Sequence, residues 1–340
     1  MNALKWCITG GCGFIGTSLI RTLLAEGGHA IRVFDDLSTG TPAALALAAP
    51  FAAAPSDDLP DFDAQSLPTV LMTGDIRDAA ATRKAASGAD ILVHLAANTG
   101  VQPSIADPHL DCEVNVIGTL NALEAARHAG VKRFIFASSG ALAAGNPPPI
   151  HEEVAPRPVA PYGASKLAGE GYCSAYFRTF KLETVVLRFG NVYGPYSSHK
   201  SSVVAKFIKA ALSGEHLPIY GDGSQTRDFI FIDDLVEAVR CAATVPQIGG
   251  EIFQIASNTE CSINELAATM LPLLHEAGLS DARSVHAAPM PGDAQRNYSD
   301  TRKATLLLGW RPRTERREGL KRTIQWFVAD AAAARAKDSQ

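Results

Sequence analysis

Apolar residues in this chain come in short unbroken runs, not in alternation with polar ones. Trp6-Cys7-Ile8, Ala30-Ile31-Arg32-Val33-Phe34, Val70-Leu71-Met72, Ile91-Leu92-Val93-His94-Leu95, Arg133-Phe134-Ile135-Phe136-Ala137 and Thr184-Val185-Val186-Leu187-Arg188-Phe189 each predict a strand. Unalternated runs of this length suit strands covered on both faces. Between them the spacing turns helical, with Phe14, Ile15, Leu19, Ile20, Leu23 and Leu24 after the first run and Val114, Val116, Leu120, Leu123 and Ala126 before the fifth. Strands alternating with helices predict an α/β fold, a doubly wound parallel sheet with helices on both faces, whose ligands collect at the carboxyl ends of the strands.

The pattern changes near residue 195. Short strands, helices and turns then follow without regular alternation, which predicts a smaller mixed α/β region laid over the carboxyl edge of the sheet. The division expected is 1–190 for the sheet domain, with 229–250 returning to it, 191–228 and 251–330 for the second region, and 331–340 as a tail. Thr41 to Leu67 reads as a surface insertion with partial helix in its Ala-rich half. Asp233-Asp234 opens a helix and reads as its cap, and the Ala-rich stretch after Val328 reads as a fraying helix.

One turn carries chemistry. Thr9-Gly10-Gly11-Cys12-Gly13-Phe14-Ile15-Gly16 follows the first strand and opens the first helix, and it satisfies Gly-x-Gly-x-x-Gly from Gly11 and Gly-x-x-Gly-x-x-Gly from Gly10. Glycines let the backbone approach a pyrophosphate, whose charge the helix N-terminus favours. The second strand ends in Asp35, about 20 residues past the last glycine, where an acid holds an adenosine ribose. These make a Rossmann-type dinucleotide site. A carboxylate there repels a 2′-phosphate, and no Arg follows before Asp36-Leu37-Ser38-Thr39-Gly40, so NAD is favoured over NADP. Asp75, Ile76 and Leu95 to Ala97 end later strands, where adenine or ribose would lie, while His94, inside its strand, reads as a satisfied core histidine.

The fifth strand delivers Ser138-Ser139-Gly140 to the same edge, as turn residues or as a catalytic hydroxyl. After Pro156, Pro158 and Pro161, a helix begins near Tyr162 and puts Lys166 four residues on, on the same face. A tyrosine near pKa 10 is a poor base, but a nearby ammonium and a positive nicotinamide ring both favour the phenolate. Such a tyrosine can take a proton from an alcohol while hydride leaves the same carbon. Arg227 reads as a phosphate ligand or as the ion-pair partner of Asp228 or Asp233.

Composition narrows the partners. With 340 residues, 46% hydrophobic and 19% charged, this is a globular chain of one large or two modest domains. A net charge of −4 and a pI near 6.1 give no reason to expect nucleic acid or an anionic membrane as a partner, and no apolar run approaches transmembrane length. Six scattered cysteines show no metal-binding spacing and suit a reducing compartment, so no metal and a cytoplasmic location are expected.

Seven motifs in order carry a resemblance. The stretches from Thr9 to Gly16, Asp35 to Gly40, His94 to Ala97, Ser138-Ser139, Pro161-Tyr162-Gly163-Ala164-Ser165-Lys166, Asn191-Val192-Tyr193-Gly194-Pro195 and Tyr220 to Phe229 resemble the extended short-chain dehydrogenase/reductases acting on nucleotide sugars. UDP-hexose 4-epimerases are the nearest in look, over nearly the whole chain to Gly292-Asp293 and Tyr298-Ser299-Asp300. The resemblance implies that Tyr162 is the base, Lys166 its tuner and ribose ligand, and Ser139 the hydroxyl bridging Tyr162 to the sugar. It implies NAD contacts from Gly10, Gly13, Phe14, Ile15, Gly16, Asp35, Asp36, Ser38, Thr39, Gly40, Asp75, Ile76, Leu95, Ala96, Ala97, Thr99, Asn115, Ala137, Phe189, Asn191 and Val192. Asn191 and Arg227 would hold the diphosphate, Leu217, Pro218, Ile219 and Tyr220 the uracil, with Val203, Arg296 and Asn297 as further substrate contacts.

The same resemblance implies a UDP-sugar substrate and a homodimer built through two helices. Similar dehydratases and decarboxylases carry a carboxylate one or two places after the serine. Here Gly140 and Ala141 stand there, which argues for epimerisation over dehydration or 4-ketoreduction. The chain departs from the family pattern at Leu142-Ala143-Ala144-Gly145, at the insertion after Gly40, and at Met290, where an Arg is usual and Arg296 could substitute. Asn297, near the position that limits bulk at C2, leaves room for N-acetylhexosamines as well as UDP-glucose. UDP-glucuronate is an alternative substrate, and a cofactor-bound sensor without turnover is the competing class.

Overall fold

A computed structural model describes residues 3–289 and 295–338. The strands are β1 (Lys5–Thr9), β2 (Ala30–Asp35), β3 (Ala52–Ala53), β4 (Thr69–Thr73), β5 (Ile91–His94), β6 (Arg133–Ser139), β7 (Thr184–Phe189), β8 (Asn191–Tyr193), β9 (Leu217–Tyr220), β10 (Thr226–Arg227), β11 (Phe229–Phe231), β12 (Ile252–Ile255), β13 (Cys261–Ser262) and β14 (Ser284–Ala287). The helices are α1 (Phe14–Glu26), α2 (Pro42–Ala48), α3 (Ala79–Ala86), α4 (Val101–Ala106), α5 (Pro108–Cys112), α6 (Gly118–Ala129), α7 (Pro161–Phe180), α8 (Val203–Leu212), α9 (Ile232–Thr244), α10 (Ile263–Glu276) and α11 (Arg316–Asp338). A π-helical turn, Glu113–Ile117, joins α5 to α6.

Eight strands form one parallel sheet in the order β12-β7-β6-β5-β1-β2-β4-β3. The unalternated runs predict this: all five Cβ-bearing positions from Ile31 to Asp35 and all four of β5 are buried, because helices cover both faces. The chain leaves β1 toward β2 on one side and returns through β5 on the other. The crevice between the carboxyl ends of β1 and β5 is therefore the topological switch point.

Three expectations change. β12 comes from residues assigned to the second region, so the return to the sheet runs past 250. One continuous apolar cluster also joins Trp6, Ile8 and Val33 of the sheet to Phe207, Leu235, Met270 and Trp310 of the later elements. The Thr41 to Leu67 insertion is pinned down as well as partly helical. Thr41 caps α2, Leu45 is fully buried, β3 adds to the sheet edge, and Arg32 donates to the Pro60 carbonyl at 2.8 Å while stacking on Phe62. Finally, Asp233 and Asp234 do not cap α9 with their side chains. Asp234 accepts from the backbone N–H of Arg313 and Thr314 and Asp233 pairs with Arg322, fastening the approach to α11, which stays helical through Asp338.

Candidate active site

The glycine turn sits at the switch point. Gly10 has φ +69°, and a Cβ there would lie 2.6 Å from the Ala96 backbone nitrogen, so only glycine lets the turn pass the end of β5. Gly13 begins α1 with no side chain capping the helix and no acid in its first turn, so its N–H groups are left to an external anion. Asp35 is buried at the end of β2, and its two oxygens accept from the N–H groups of Cys12 and Leu37 at 2.9 Å. The acid thus locks the turn to the second strand and keeps further lone pairs. Gly40 packs on Cys12, whereas Asp36, Ser38 and Thr39 are exposed on the same rim, Asp36 accepting from Ser38.

Asp75 and Ile76 follow β4 as expected, but the Asp75 carboxylate is held by Arg77, which also reaches Glu113 at 3.0 Å. That guanidinium holds the Asp75 carboxyl below its usual range. Leu95 to Ala97 leave β5 beside the turn, the Ala96 N–H donating to Thr9, and Thr99 is exposed beyond them. His94 is the satisfied core histidine expected. Its Nδ1 lies 2.8 Å from the Thr9 hydroxyl and its Nε2 lies 3.1 Å from the Thr119 hydroxyl, which itself donates to the Asn115 carbonyl. Burial pushes its pKa down to about 3, so it is neutral.

Two adjacent serines end β6 and do different work. Ser138 is buried and donates to Glu170 at 2.6 Å, and Glu170 forms a bidentate buried pair with Arg188 at 2.9 and 2.7 Å. Ser139 faces the crevice, caps the short helical turn Gly140–Ala143 through the Ala141 N–H, and lies beside the Tyr162 side chain. Strand alternation decides between them, since neighbours on β6 point to opposite faces.

Tyr162 and Lys166 lie on the first turns of α7, which starts at Pro161 and packs on β6 where Gly169 lies against Phe136. The Lys166 ammonium is buried, 5.0 Å from the centre of the Phe136 ring and 5.9 Å from that of Tyr162. Desolvation dominates both groups. The Tyr162 phenol is pushed up to about 12, the Ser139 hydroxyl opposing this, and Lys166 is pushed down to about 8, its neighbouring acids opposing this. The chain by itself therefore holds a protonated phenol beside a marginally charged ammonium. Of the two charges that the sequence reading sets to favour the phenolate, the ammonium and the nicotinamide ring, the chain itself supplies only the first.

Sequence reasoning passed over Asp111 and Ser165 in this group. Asn115, in the π-helical turn, donates its amide to Asp111 at 2.9 Å, Ser165 at 3.1 Å and the Asn98 carbonyl at 3.0 Å, and accepts from the Asn98 N–H. The Asp-x-x-x-Asn spacing, which puts both on one helix face, was the available signal.

A cavity of about 200 Å³ is lined by Asn191, Val192, Val203, Pro218, Tyr220 and Arg227 among the expected residues. Ser201, Ser202, Lys206 and Ile263, which carried no motif, line it too, as do Gln225 and Phe229 of the Tyr220 to Phe229 stretch. Leu217 and Ile219 turn their side chains into the core, because alternation along β9 leaves the side chains of Pro218 and Tyr220 toward the cavity. Arg227 donates to the Thr226 carbonyl at 2.7 Å. Of its suggested ion-pair partners, Asp228 accepts from Ser257 and Ser299, and Asp233 from Arg322. Arg296 is exposed and bidentate to Glu260 at 2.7 and 2.8 Å, so two of its donors are already engaged. Asn297 sits beside Gly140, its side-chain oxygen 3.9 Å from where a Cβ there would be. Ala137 and Phe189 are buried at the ends of β6 and β7. Met290 and Gly292-Asp293 lie outside the described residues.

A Rossmann sheet with an open helix N-terminus at its switch point, and a Ser-Tyr-Lys group beside it, defines a nucleotide-dependent oxidoreductase type of enzyme. The sequence profile of the NAD dependent epimerase/dehydratase family matches residues 6–256, and the chain belongs to that family. It is 36% identical to a UDP-glucose 4-epimerase of Mycolicibacterium smegmatis over 95% of this chain and 98% of that one. Its fold superposes on the UDP-glucose 4-epimerase of Thermotoga maritima bound to UDP-glucose with a TM-score of 0.83 and 31% identity, over 96% and 100% of the two chains. The UDP-glucuronic acid 4-epimerase of Bacillus cereus, solved with UDP-glucuronic acid and NAD, gives 0.82 at 27% identity, over 96% and 100%. NAD is the cofactor. The Gly10 cradle, the uncapped start of α1 and the Asp35 carboxylate at the end of β2 fit it.

Among the described residues no helix is long and apolar enough to cross a membrane, and no cluster could hold a metal ion.

Proposed function

We propose that this enzyme interconverts the C4 epimers of a UDP-hexose, UDP-glucose and galactose or their N-acetylated counterparts. The observation that carries the reading is Ser139, Tyr162 and Lys166 gathered at one edge with Gly140 and Ala141, not a carboxylate, following the serine. NAD, when bound, would supply the acceptor and donor for the C4 hydride and a positive charge that favours the phenolate. Tyr162 Oη takes the C4 hydroxyl proton and gives it back, while Ser139 Oγ holds phenol and sugar oxygen in register. Lys166 supplies the charge that the desolvated phenol otherwise lacks. Arg227 and Asn191, facing the cavity, hold the diphosphate while the hexose presents its other face. Pro218 and Tyr220 lie along the base, and small Asn297 beside Gly140 leaves space for an N-acetyl group.

The reading includes a cytoplasmic enzyme, in keeping with six free cysteines. It also includes a homodimer through the helices that expose Leu110, Ile117 and Tyr172, which sedimentation velocity checks. Incubation with UDP-glucose, UDP-GlcNAc and UDP-glucuronate, followed by proton NMR, tests the activity. A C4 epimer of one of the first two supports the assignment, one of glucuronate moves it to the uronate, and none from any refutes it. Accumulating 4-keto sugar, or net consumption of added NADH, would instead make the enzyme a dehydratase or 4-ketoreductase.

A further inference from the structure

The proposed chemistry uses one buried cation and one phenol, yet the same pocket holds a buried carboxylate that it does not use. Asp111 is 1% exposed at the end of α5. It is tied to two elements through Asn115 in the π-helical turn, which donates to it at 2.9 Å and to Ser165 on α7 at 3.1 Å. Ser165 in turn donates to the Tyr162 carbonyl at 3.0 Å, so the carboxylate is tied to the turn of α7 that carries Tyr162 and Lys166. A π-helical turn re-aims side chains within a helix, and this one brings Asn115 to its three acceptors at once. A carboxyl this buried is costly to ionise, and only its neighbours can offset that.

We propose that Asp111 is a positioning residue that sets the working pH window of the Tyr162 and Lys166 pair by placing one fixed negative charge against both. The inference rests on the functional reading above, in which that pair moves the proton. Its charge is felt by each partner: it helps keep Lys166 protonated and opposes the Tyr162 phenolate. The other groups facing Lys166 are Glu170 and Cys173 on α7 and neutral His94 on β5, and Tyr162 also faces Ser139. Glu170 is already neutralised by Arg188. Asp111 is thus the carboxylate near the pair that lacks an arginine partner among the described contacts.

Removing a fixed negative charge lowers the pKa of every neighbour, whatever its type. Asp111→Asn, which preserves size, is therefore expected to slide both limbs of the kcat/KM profile toward acid by about one pH unit. Asp111→Glu, which keeps the charge, is expected to leave them in place. The second readout is independent of turnover: in protein labelled with 3-fluorotyrosine, the 19F titration midpoint of Tyr162, assigned with Tyr162→Phe, should move the same way in Asp111→Asn. If that variant does not fold, Asp111→Ser takes its place. A profile that loses height with both limbs unmoved, or an unmoved 19F midpoint, overturns the proposal while leaving the epimerase reading intact. Full turnover by Tyr162→Phe would overturn that reading instead, and the 19F midpoint would still decide whether Asp111 biases this phenol.

Discussion

The cofactor side of this enzyme and its sugar-reading side are built by different rules. On the cofactor side the groups at the centre of the site end a buried strand or begin a helix packed on one. Gly10 is fixed by Ala96, Asp35 by Cys12, Tyr162 by the start of α7. On the sugar side, β9, β10, β13 and β14 are two to four residues long, in two-stranded sheets, and the polar groups lining the cavity come from these short strands, β8, loops and the start of α8. The first arrangement holds a cofactor common to a whole family. The second can change its substrate by side-chain replacement without disturbing the large sheet.

The comparison can be broken or sharpened by substitution. The largest effect is expected from Tyr162→Phe, which should lower kcat by about 10²–10⁴ while the melting temperature and NAD retained on purification stay unchanged. Loss of NAD would show that the two sides are not separable there. Next is Glu170→Gln, behind the site. It leaves Arg188 as an uncompensated buried charge and should cost about 3–5 kcal/mol in denaturant unfolding. Arg227→Ala acts on the other side alone, raising KM for the sugar nucleotide roughly 10–100-fold with NAD retained, as expected for one charge-assisted contact of about 1.5–3 kcal/mol. The smallest effect is in pH. Because desolvation lowers Lys166 to about 8, its charge is lost above that pH, and kcat should be halved near pH 8 and fall further as pH rises.

The same contrast explains what was legible in the sequence. The parallel sheet, the glycine turn, Asp35 and the Tyr162 to Lys166 spacing could be read because each obeys a local rule of burial, backbone conformation or helical period. Ser138 and Ser139 could not be told apart from composition, yet β6 settles it by turning one toward Glu170 and the other toward Tyr162. Leu217 and Ile219 are placed along the base by a motif that names four consecutive residues, whereas a strand turns the side chain of every second one to the cavity. Arg296 stays hard to place from sequence because its partner, Glu260, lies 36 positions away. Lys206 and Gln225 carried no periodic signal at all. Asp111 escaped because its spacing from Asn115 says that the two share a helix face, not that the face is buried.

The most direct test of the account is to supply the epimerised sugar nucleotide with deuterium at C4 and to follow the label by NMR in the presence of excess unlabelled NADH. Oxidation and re-reduction inside one closed site predict deuterium at C4 in both epimers, undiluted by hydrogen from solution. Deuterium lost to the medium, or found at any other carbon, would contradict the assignment of this site to C4 epimerisation.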